Sequence, residues 1–470
     1  MQFDIGIKNF GKIRDAKIKI RPFTVIAGKN SSGKSFVTKS LYSFFSTINK
    51  DYVTTKAYEK IDRLREVTEY LQNTLRLSQI EKKLFNELQL RIDSLEEVTN
   101  KTFGSHTFSN QLLTAHQFKE PIAKTEVVIS SLFNEMSGKQ KFLRVKGDFS
   151  YIEHLLDDLK QLSLSPTDCL VEGIKNGLIN AFKDNFQVSS LKTLKNYHSE
   201  NDVTITFDFD RLGEVKIVGE NLSFSLDSKN IDFIQKLHNV VYLESPVYWK
   251  IKGALLNEQV RSKIRALGKH NKIATLSGVP QHFYDLVDLL GTQSKSASSI
   301  ELHQGLNESI GGEIVISSTG ELSFLEKGIA TEVSLHNTAL GVTNLGIISL
   351  LLKKGVLTQG SFLFIDEPEV HLHPAWQKVM IDTLYELSKQ GVNVVIASHS
   401  IDMMKCVENI MNRLPENEMA AHFGINQLNA KGESIEESPF PLRKIAAIKA
   451  GLGEPFYEMM MESNAAWDDE

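Results

Sequence analysis

Nine consecutive residues constrain this chain more than any others. Ala27-Gly-Lys-Asn-Ser-Ser-Gly-Lys-Ser35 fits GxxxxGK(S/T), with Gly28, Gly33, Lys34 and Ser35 at the four fixed positions. The chemistry explains the spacing. The glycines permit a tight loop whose backbone N–H groups, through Lys29, Asn30, Ser31 and Ser32, turn inward at phosphate oxygens. Lys34 adds a point charge for the β- and γ-phosphates of a nucleotide, and Ser35 offers a hydroxyl to Mg²⁺. The flanks agree. Phe23-Thr-Val-Ile-Ala27 is a short β-prone run, and Phe36 to Phe45 has helix-like apolar spacing. Strand, loop, helix is the order this motif needs, because a helix N-terminus then faces the phosphates.

Composition sets the outer limits. At 470 residues the chain has room for two or three domains. A hydrophobic content of 41% and a charged content of 24% describe an ordinary globular protein. The net charge of −5 argues against a surface coated in positive charge for nucleic acid, though not against a local basic groove. Cys169 and Cys406 form no metal-ligand pair and no disulfide framework, which fits a reducing cytoplasmic setting. No signal pattern opens the chain, and no apolar run reaches the roughly 18 residues of a membrane span. The acidic end, Trp467-Asp-Asp-Glu470, reads as frayed.

Taken in order, residues 3 to 26 alternate as β structure with a turn at Asn9-Phe-Gly-Lys12. From about Lys56 to Asn100 the chain is dense in Glu, Lys, Arg and Leu. Ile61, Leu64, Val67, Leu71 and Leu75, then Ile80, Leu84, Leu88, Ile92 and Leu95, recur at helical steps. These predict an antiparallel pair of amphipathic helices, with further helices at 152–162 and 170–182. Lys139-Gln-Lys-Phe-Leu-Arg-Val-Lys146 is a basic cluster that suits either a phosphate backbone or, more simply, a solvated face. The period switches to two over 203–226, predicting a meander, and Val240 to Glu244 is another strand. Residues 254–310 read as mostly helical with a polar break at 292–299, and 312–324 as a hairpin. The resulting division is a head part at 1–50, a helical insert at 51–200 and a second head part at 201–470.

Ser361-Phe-Leu-Phe-Ile-Asp-Glu367 completes the nucleotide chemistry. It reads as a buried strand ending in two carboxylates. Asp366 is placed to hold Mg²⁺, and Glu367 to polarise an attacking water. His371 and His373 follow, and as metal ligands they would lack a third partner nearby. Val392 to Ser400 is a second apolar run with His399 at its end, about 33 residues after Asp366.

Asp366-Glu-Pro-Glu-Val-His-Leu-His-Pro374 resembles the D-E-P-E-x-x-L-H-P segment of ATPases with ABC-type heads. His399 resembles their switch histidine, whose imidazole reaches the γ-phosphate. Ser334 to Leu352 occupies the place of their signature motif, with Gly341 kept and Leu340 where a serine is usual. The chain as a whole resembles the OLD-type and SMC/RecF-like ATPases. That resemblance implies an α/β ABC-type head, a mixed sheet with helices plus an antiparallel β lobe, carrying a helical insert. It implies ATP and Mg²⁺ as cofactors, with Glu367 and His399 as catalytic residues. Gly341 would complete the site of a second copy, so the active unit is a homo-oligomer. The missing serine implies slow hydrolysis. The roughly 70 residues after His399 leave no room for a TOPRIM nuclease. The chain is therefore similar to the stand-alone ATPases of anti-phage modules of the Septu and PARIS kinds, which act with a separately encoded effector. A DNA-binding repair ATPase of the RecF kind is the alternative.

Overall fold

The computed structural model describes residues 1–102, 111–112, 114–199, 203–210, 212–226, 237–257, 278–291, 300–317, 321–329, 331–436 and 438–465. The chain divides into two compact units. One, the head, comprises Met1–Asn49, Gly177–Leu226 and the described residues from 237 on. The other is the helical unit, Lys50–Asn176.

The head is built on a parallel sheet. Its strands are β3 (Phe23–Ala27), β7 (Val240–Leu243), β11 (Phe362–Asp366), β12 (Asn393–Ser398) and β13 (Phe423–Gln427), in the order β13-β3-β12-β11-β7. All pairings are parallel. The central strands read as unbroken apolar runs because helices cover both faces of such a sheet. Every residue of β3, β11 and β12 is buried. Helix α1 (Lys34–Ile48) follows the loop at once and packs on β7, β11 and β12.

A second sheet forms the antiparallel lobe. It joins β1 (Phe3–Phe10), β2 (Ile13–Ile20), β4 (Ile205–Asp208), β5 (Gly213–Val218) and β6 (Asn221–Leu226) in the order β2-β1-β4-β5-β6. Parallel and antiparallel pairings are thus separated between sheets rather than mixed within one. Strands β8 (Gly312–Ile316), β9 (Leu322–Glu326) and β10 (Glu332–Ser334) make a third, small sheet. It contains the expected hairpin, with Gly312 opposite Glu326.

In the helical unit, α2 (Tyr52–Thr74) packs against α3 (Gln79–Thr102) and α5 (Phe142–Leu164). Helix α4 (Lys119–Met136) also packs against both α3 and α5, closing a ring of four. The apolar stripes do the burying: Ile61, Leu64, Leu71, Leu88, Ile92 and Leu95 are inside. Val67, Leu75 and Leu84 are half-buried, while Ile80 is exposed.

The basic cluster has an internal use. Glu81 is fully buried, and it accepts hydrogen bonds from Lys139 at 3.0 Å, from Lys141, and from the Ser78 N–H at 2.7 Å. Ser78 in turn accepts the Glu81 N–H, so the pair is a capping box at the start of α3. Burial by itself would raise the Glu81 carboxyl. Lys141, Ser78 and Lys139 outweigh it and hold the group down at about 2. Two of the cluster's lysines are therefore structural.

Residues 177–199 lie in the head rather than with the insert in which the sequence places them. Helix α6 (Pro166–Phe186) carries Asn185 at its end, whose Nδ2 donates to Ser43 Oγ on α1 at 3.0 Å. Beyond it, the Asn196 N–H donates to Asn9 O at 2.8 Å, and Asn196 Nδ2 to Ile13 O at 3.0 Å. Among the described residues, the helices of the 254–310 region are α7 (Gln281–Gly291) and α8 (Ile300–Ile310). The polar break at 292–299 and the acidic end at 467–470 lie outside the described residues. The longer remaining head helices among the described residues are α9 (Leu340–Lys353), α10 (Pro374–Lys389), α11 (Ile401–Met411), α12 (Glu416–His422) and α13 (Pro441–Ala465). Among the described residues, no helix is long and apolar enough to cross a membrane.

Candidate nucleotide and metal site

Parallel register puts the site together. Ala27 pairs with Ser398, Ala397 with Asp366, and Ile365 with Leu243. Four strands thus end in one row, and the residues just past them share one rim. Such carboxyl ends are where open parallel sheets bind ligands. The loop Gly28–Ser35 follows β3, Asp366 and Glu367 follow β11, His399 follows β12, and Glu244 follows β7.

The loop is shaped for an anion. A Cβ on Gly28 would fall 2.5 Å from Ser32 Oγ and 2.8 Å from Leu428 O. Gly33 has φ of 100°, and Ser31 also takes a positive φ, 63°. Lys34 folds back over the loop, donating to Gly28 O at 2.9 Å and to Lys29 O at 3.2 Å. Burial lowers its pKa, against the opposing pull of Glu367, Asp366 and Glu369. An open cleft of about 450 Å³ lies beside the loop, lined by Asn30 to Phe36, Lys12, Tyr197 and Glu367.

Asp366 is 8% exposed, and its Oδ1 has no hydrogen-bond partner. Its Oδ2 accepts from Tyr242 OH at 3.3 Å, and Ser35 also hydrogen-bonds the carboxyl. Burial raises Asp366 to about 6, with Ser35 opposing and the Glu244 charge adding to the rise. A buried carboxylate with a spare oxygen beside a serine hydroxyl fits Mg²⁺, a hard cation that binds through one or two protein oxygens plus phosphates. The described residues contain no group of three His, Cys, Asp or Glu side chains able to hold a metal by themselves. His373 serves instead as the cap of α10, accepting the Ala375 N–H at Nδ1.

Glu367 stands on strained backbone, φ 52°, a conformation that costs a non-glycine residue on the order of 1 kcal/mol or more. Its N–H is tied to Ala397 O at 2.8 Å, and its half-exposed carboxylate lines the cleft. His399 Nδ1 lies 3.7 Å from Glu367 and 3.2 Å from Glu369. The His399 N–H donates to Glu369 Oε1 at 2.9 Å, while Glu369 Oε2 is buried without a partner. Glu369 therefore holds the histidine segment in place, a role the sequence quoted without assigning. Gln377 adds a second tie, accepting from Ser400 Oγ at 2.8 Å.

Under α1 lies a polar network that sequence reasoning missed. Lys39 Nζ donates to Glu244 Oε1 at 2.7 Å, and His282 Nε2 meets Glu244 Oε2 at 3.0 Å. Burial pulls His282 down against the opposing pull of Glu244, and its Nδ1 has no partner. Burial would raise Glu244, yet His282 and Lys39 hold it at about 2. Tyr242 OH bridges Thr38 Oγ1, at 3.0 Å, to Asp366. Tyr242 thus ties the Asp366 carboxylate to the helix that follows the loop.

A family model described as AAA ATPase domain matches residues 3–404. The chain belongs to the AAA ATPase domain family. Its members are nucleotide-using ATPases, which agrees with the loop, the carboxylates and the histidine brought to one rim. Among curated relatives, the cobalt import ATP-binding protein CbiO of Salmonella typhimurium is 26% identical over 100 residues. That match covers 21% of this chain and 37% of the relative, so the chain spans little more than a third of that protein. Among solved structures, the Smc head domain from Pyrococcus furiosus is 12% identical, with a TM-score of 0.35, covering 92% of this chain and 94% of that one. The SMC head domain from Thermotoga maritima is 11% identical, with a TM-score of 0.29, covering 86% and 91%.

Within this ATPase head, Gly341 has a different neighbourhood from the one its motif suggests. A Cβ there would fall 2.7 Å from His371 O and 3.3 Å from Leu372 and Trp376. The glycine is buried in its own subunit and lets α9 approach the His371 segment. The exposed end of α9 is Ala339, which caps it without a side-chain hydrogen bond, next to half-buried Leu340.

Proposed function

We propose that this chain is the ATPase subunit of a bacterial anti-phage module, binding ATP and Mg²⁺ and restraining or releasing a separately encoded nuclease or toxin. One observation carries the ATPase part: Gly28–Ser35, Asp366, Glu367 and His399 stand in a single row at the ends of adjacent parallel strands. In this reading Lys34 and the loop amides hold the phosphates. Ser35 and Asp366 hold Mg²⁺, which when bound neutralises charge on the β- and γ-oxygens. Glu367 orients and deprotonates the attacking water, and His399 senses the γ-phosphate.

The site is completed by a second copy, head to tail, in the cytoplasm. The N-terminus of α9 supports this: no side chain caps it, and it offers a helix dipole but no hydroxyl, because Leu340 stands where a serine would help. Turnover is correspondingly slow. Gly341 contributes by admitting the close packing of α9 rather than by facing phosphate itself. The effector reading is favoured over DNA repair because Lys139 and Lys141 are already spent on Glu81.

The test is to express the chain alone and with the protein encoded beside it during phage challenge. Protection that needs both proteins, with association that depends on nucleotide, is the expected result. Protection by this chain alone, or association indifferent to nucleotide, sinks the two-component reading.

A further inference from the structure

The basic cluster that opens α5 keeps two charges that Glu81 does not use. Arg144 and Lys146 are exposed, and further along the same helix so are Glu153 and Asp157. None of the four has an ion-pair partner among the described residues. Their neighbours Asp158 and Lys160, by contrast, are paired with Lys60 and Glu126.

Between the basic and the acidic pair, the outward face is apolar and notched. Leu143, 76% exposed, and Tyr151, 41% exposed, stand one turn to either side of Gly147. Residues four apart share one face of a helix. Gly147 is exposed as well, and a Cβ on it would meet no other element within 4 Å. A glycine inside a helix costs about 1 kcal/mol relative to alanine, and among the described residues nothing uses the space it leaves. The opposite face is committed: Val145, Phe149 and Ile152 are buried in the helical unit. The notch is therefore presented by a fixed helix.

We propose that this face pairs with the same face of a second copy, the two α5 helices running antiparallel about a two-fold axis. The order of charge selects that partner. A two-fold contact must be complementary to itself, and a helix that is basic at its start and acidic further on complements its own reverse. An axis level with Phe149 sets Tyr151 of each copy over Gly147 of the other. Lys146 then lies within one residue, about 1.5 Å of rise, of the level of Glu153 on the other copy. These two are seven residues apart and so share one flank of the helix. Each contact occurs twice. The surface holds no residue of the nucleotide site, so the pairing forms without nucleotide and is separate from the closing of two heads on ATP.

The experiment is sedimentation velocity on the full-length protein without nucleotide, at concentrations up to roughly 100 µM, enough to fill an interface of micromolar affinity. The wild type is expected to dimerise. Gly147→Gln favours the helix itself but blocks the notch twice per dimer, and is expected to weaken association about a hundredfold. Lys146→Glu and Glu153→Lys are each expected to weaken it about tenfold, and the double variant to regain the wild-type value. The charge swap reads the pairing without touching the notch. A wild type that stays monomeric overturns the proposal. So does a dimer indifferent to Gly147→Gln, or a double variant that associates no more tightly than the single ones. A monomeric wild type whose Gly147→Gln variant loses the separately encoded effector assigns the face to that partner and equally overturns self-pairing.

Discussion

Glu81 in the helical unit and Asp366 in the head are both buried carboxylates, and they are treated in opposite ways. Glu81 has every need met by two lysines and a backbone N–H, and its pKa is held at about 2. Asp366 keeps a bare Oδ1, with weak support from Tyr242 and Ser35, and burial lifts it to about 6. Glu369, also in the head, likewise keeps a bare Oε2. Glu81 is saturated, and an unpaired buried charge is costly. In the proposed nucleotide reading, Asp366 keeps coordination in reserve and accepts that cost until the ligand arrives.

The sharpest way to press on the contrast is at Glu367, whose backbone strain and exposure to the cleft mark it for chemistry. Glu367→Gln is expected to cut ATP turnover by roughly 10²–10⁴-fold, the usual worth of a positioned acid or base, with ATP affinity kept. Single-turnover assays beside equilibrium titration separate the two. Equal losses of rate and affinity would make Glu367 a ligand or a structural residue.

The helical unit offers the next largest effect. Replacing Lys139 and Lys141 together by methionine strands the Glu81 charge and should destabilise the protein by about 3–5 kcal/mol in denaturant unfolding at neutral pH. The loss should shrink in acid, where Glu81 can protonate. In the wild type the sign is reversed. A carboxyl held below its ordinary 4.5 contributes stability that is full above that pH and lost as pH falls toward about 2. A double variant as stable as the wild type would break the comparison from its structural side.

What the sequence made legible follows the same division. The strand-end positions of Gly28–Ser35, Asp366 and His399 were readable because each sits in a short segment whose neighbours fix its backbone. The strand runs before them are apolar enough to be unmistakable. Glu244, His282 and Lys39 were not, because they come from three distant segments and meet only through the sheet. Strand β13, Phe423-Gly-Ile-Asn-Gln427, has no unbroken apolar run and alternates over only four residues, too short a signal to place it beside β3. Its Asn426 donates to Lys19 O and Val25 O, a polar side chain stitching the sheet edge. The capping box at Ser78 and Glu81 was open to a sequence reading, but its lysine partners lie some 60 residues away. Gly341 was located correctly as the start of a helix, yet its need for a missing Cβ comes from the His371 backbone in its own subunit.

The claim that reserve coordination marks the site is tested most directly by unfolding two neutralised variants side by side, with and without saturating Mg²⁺ and ATP. Without ligand, Asp366→Asn is expected to raise the unfolding free energy by about 3 kcal/mol, and Glu81→Gln to lower it by about 1–3 kcal/mol. With ligand at about a hundred times its Kd, wild type and Glu81→Gln should each gain roughly 2.7 kcal/mol, and Asp366→Asn almost nothing. An Asp366→Asn protein that is destabilised on its own, yet gains as much from Mg²⁺ and ATP as the wild type, would contradict the account.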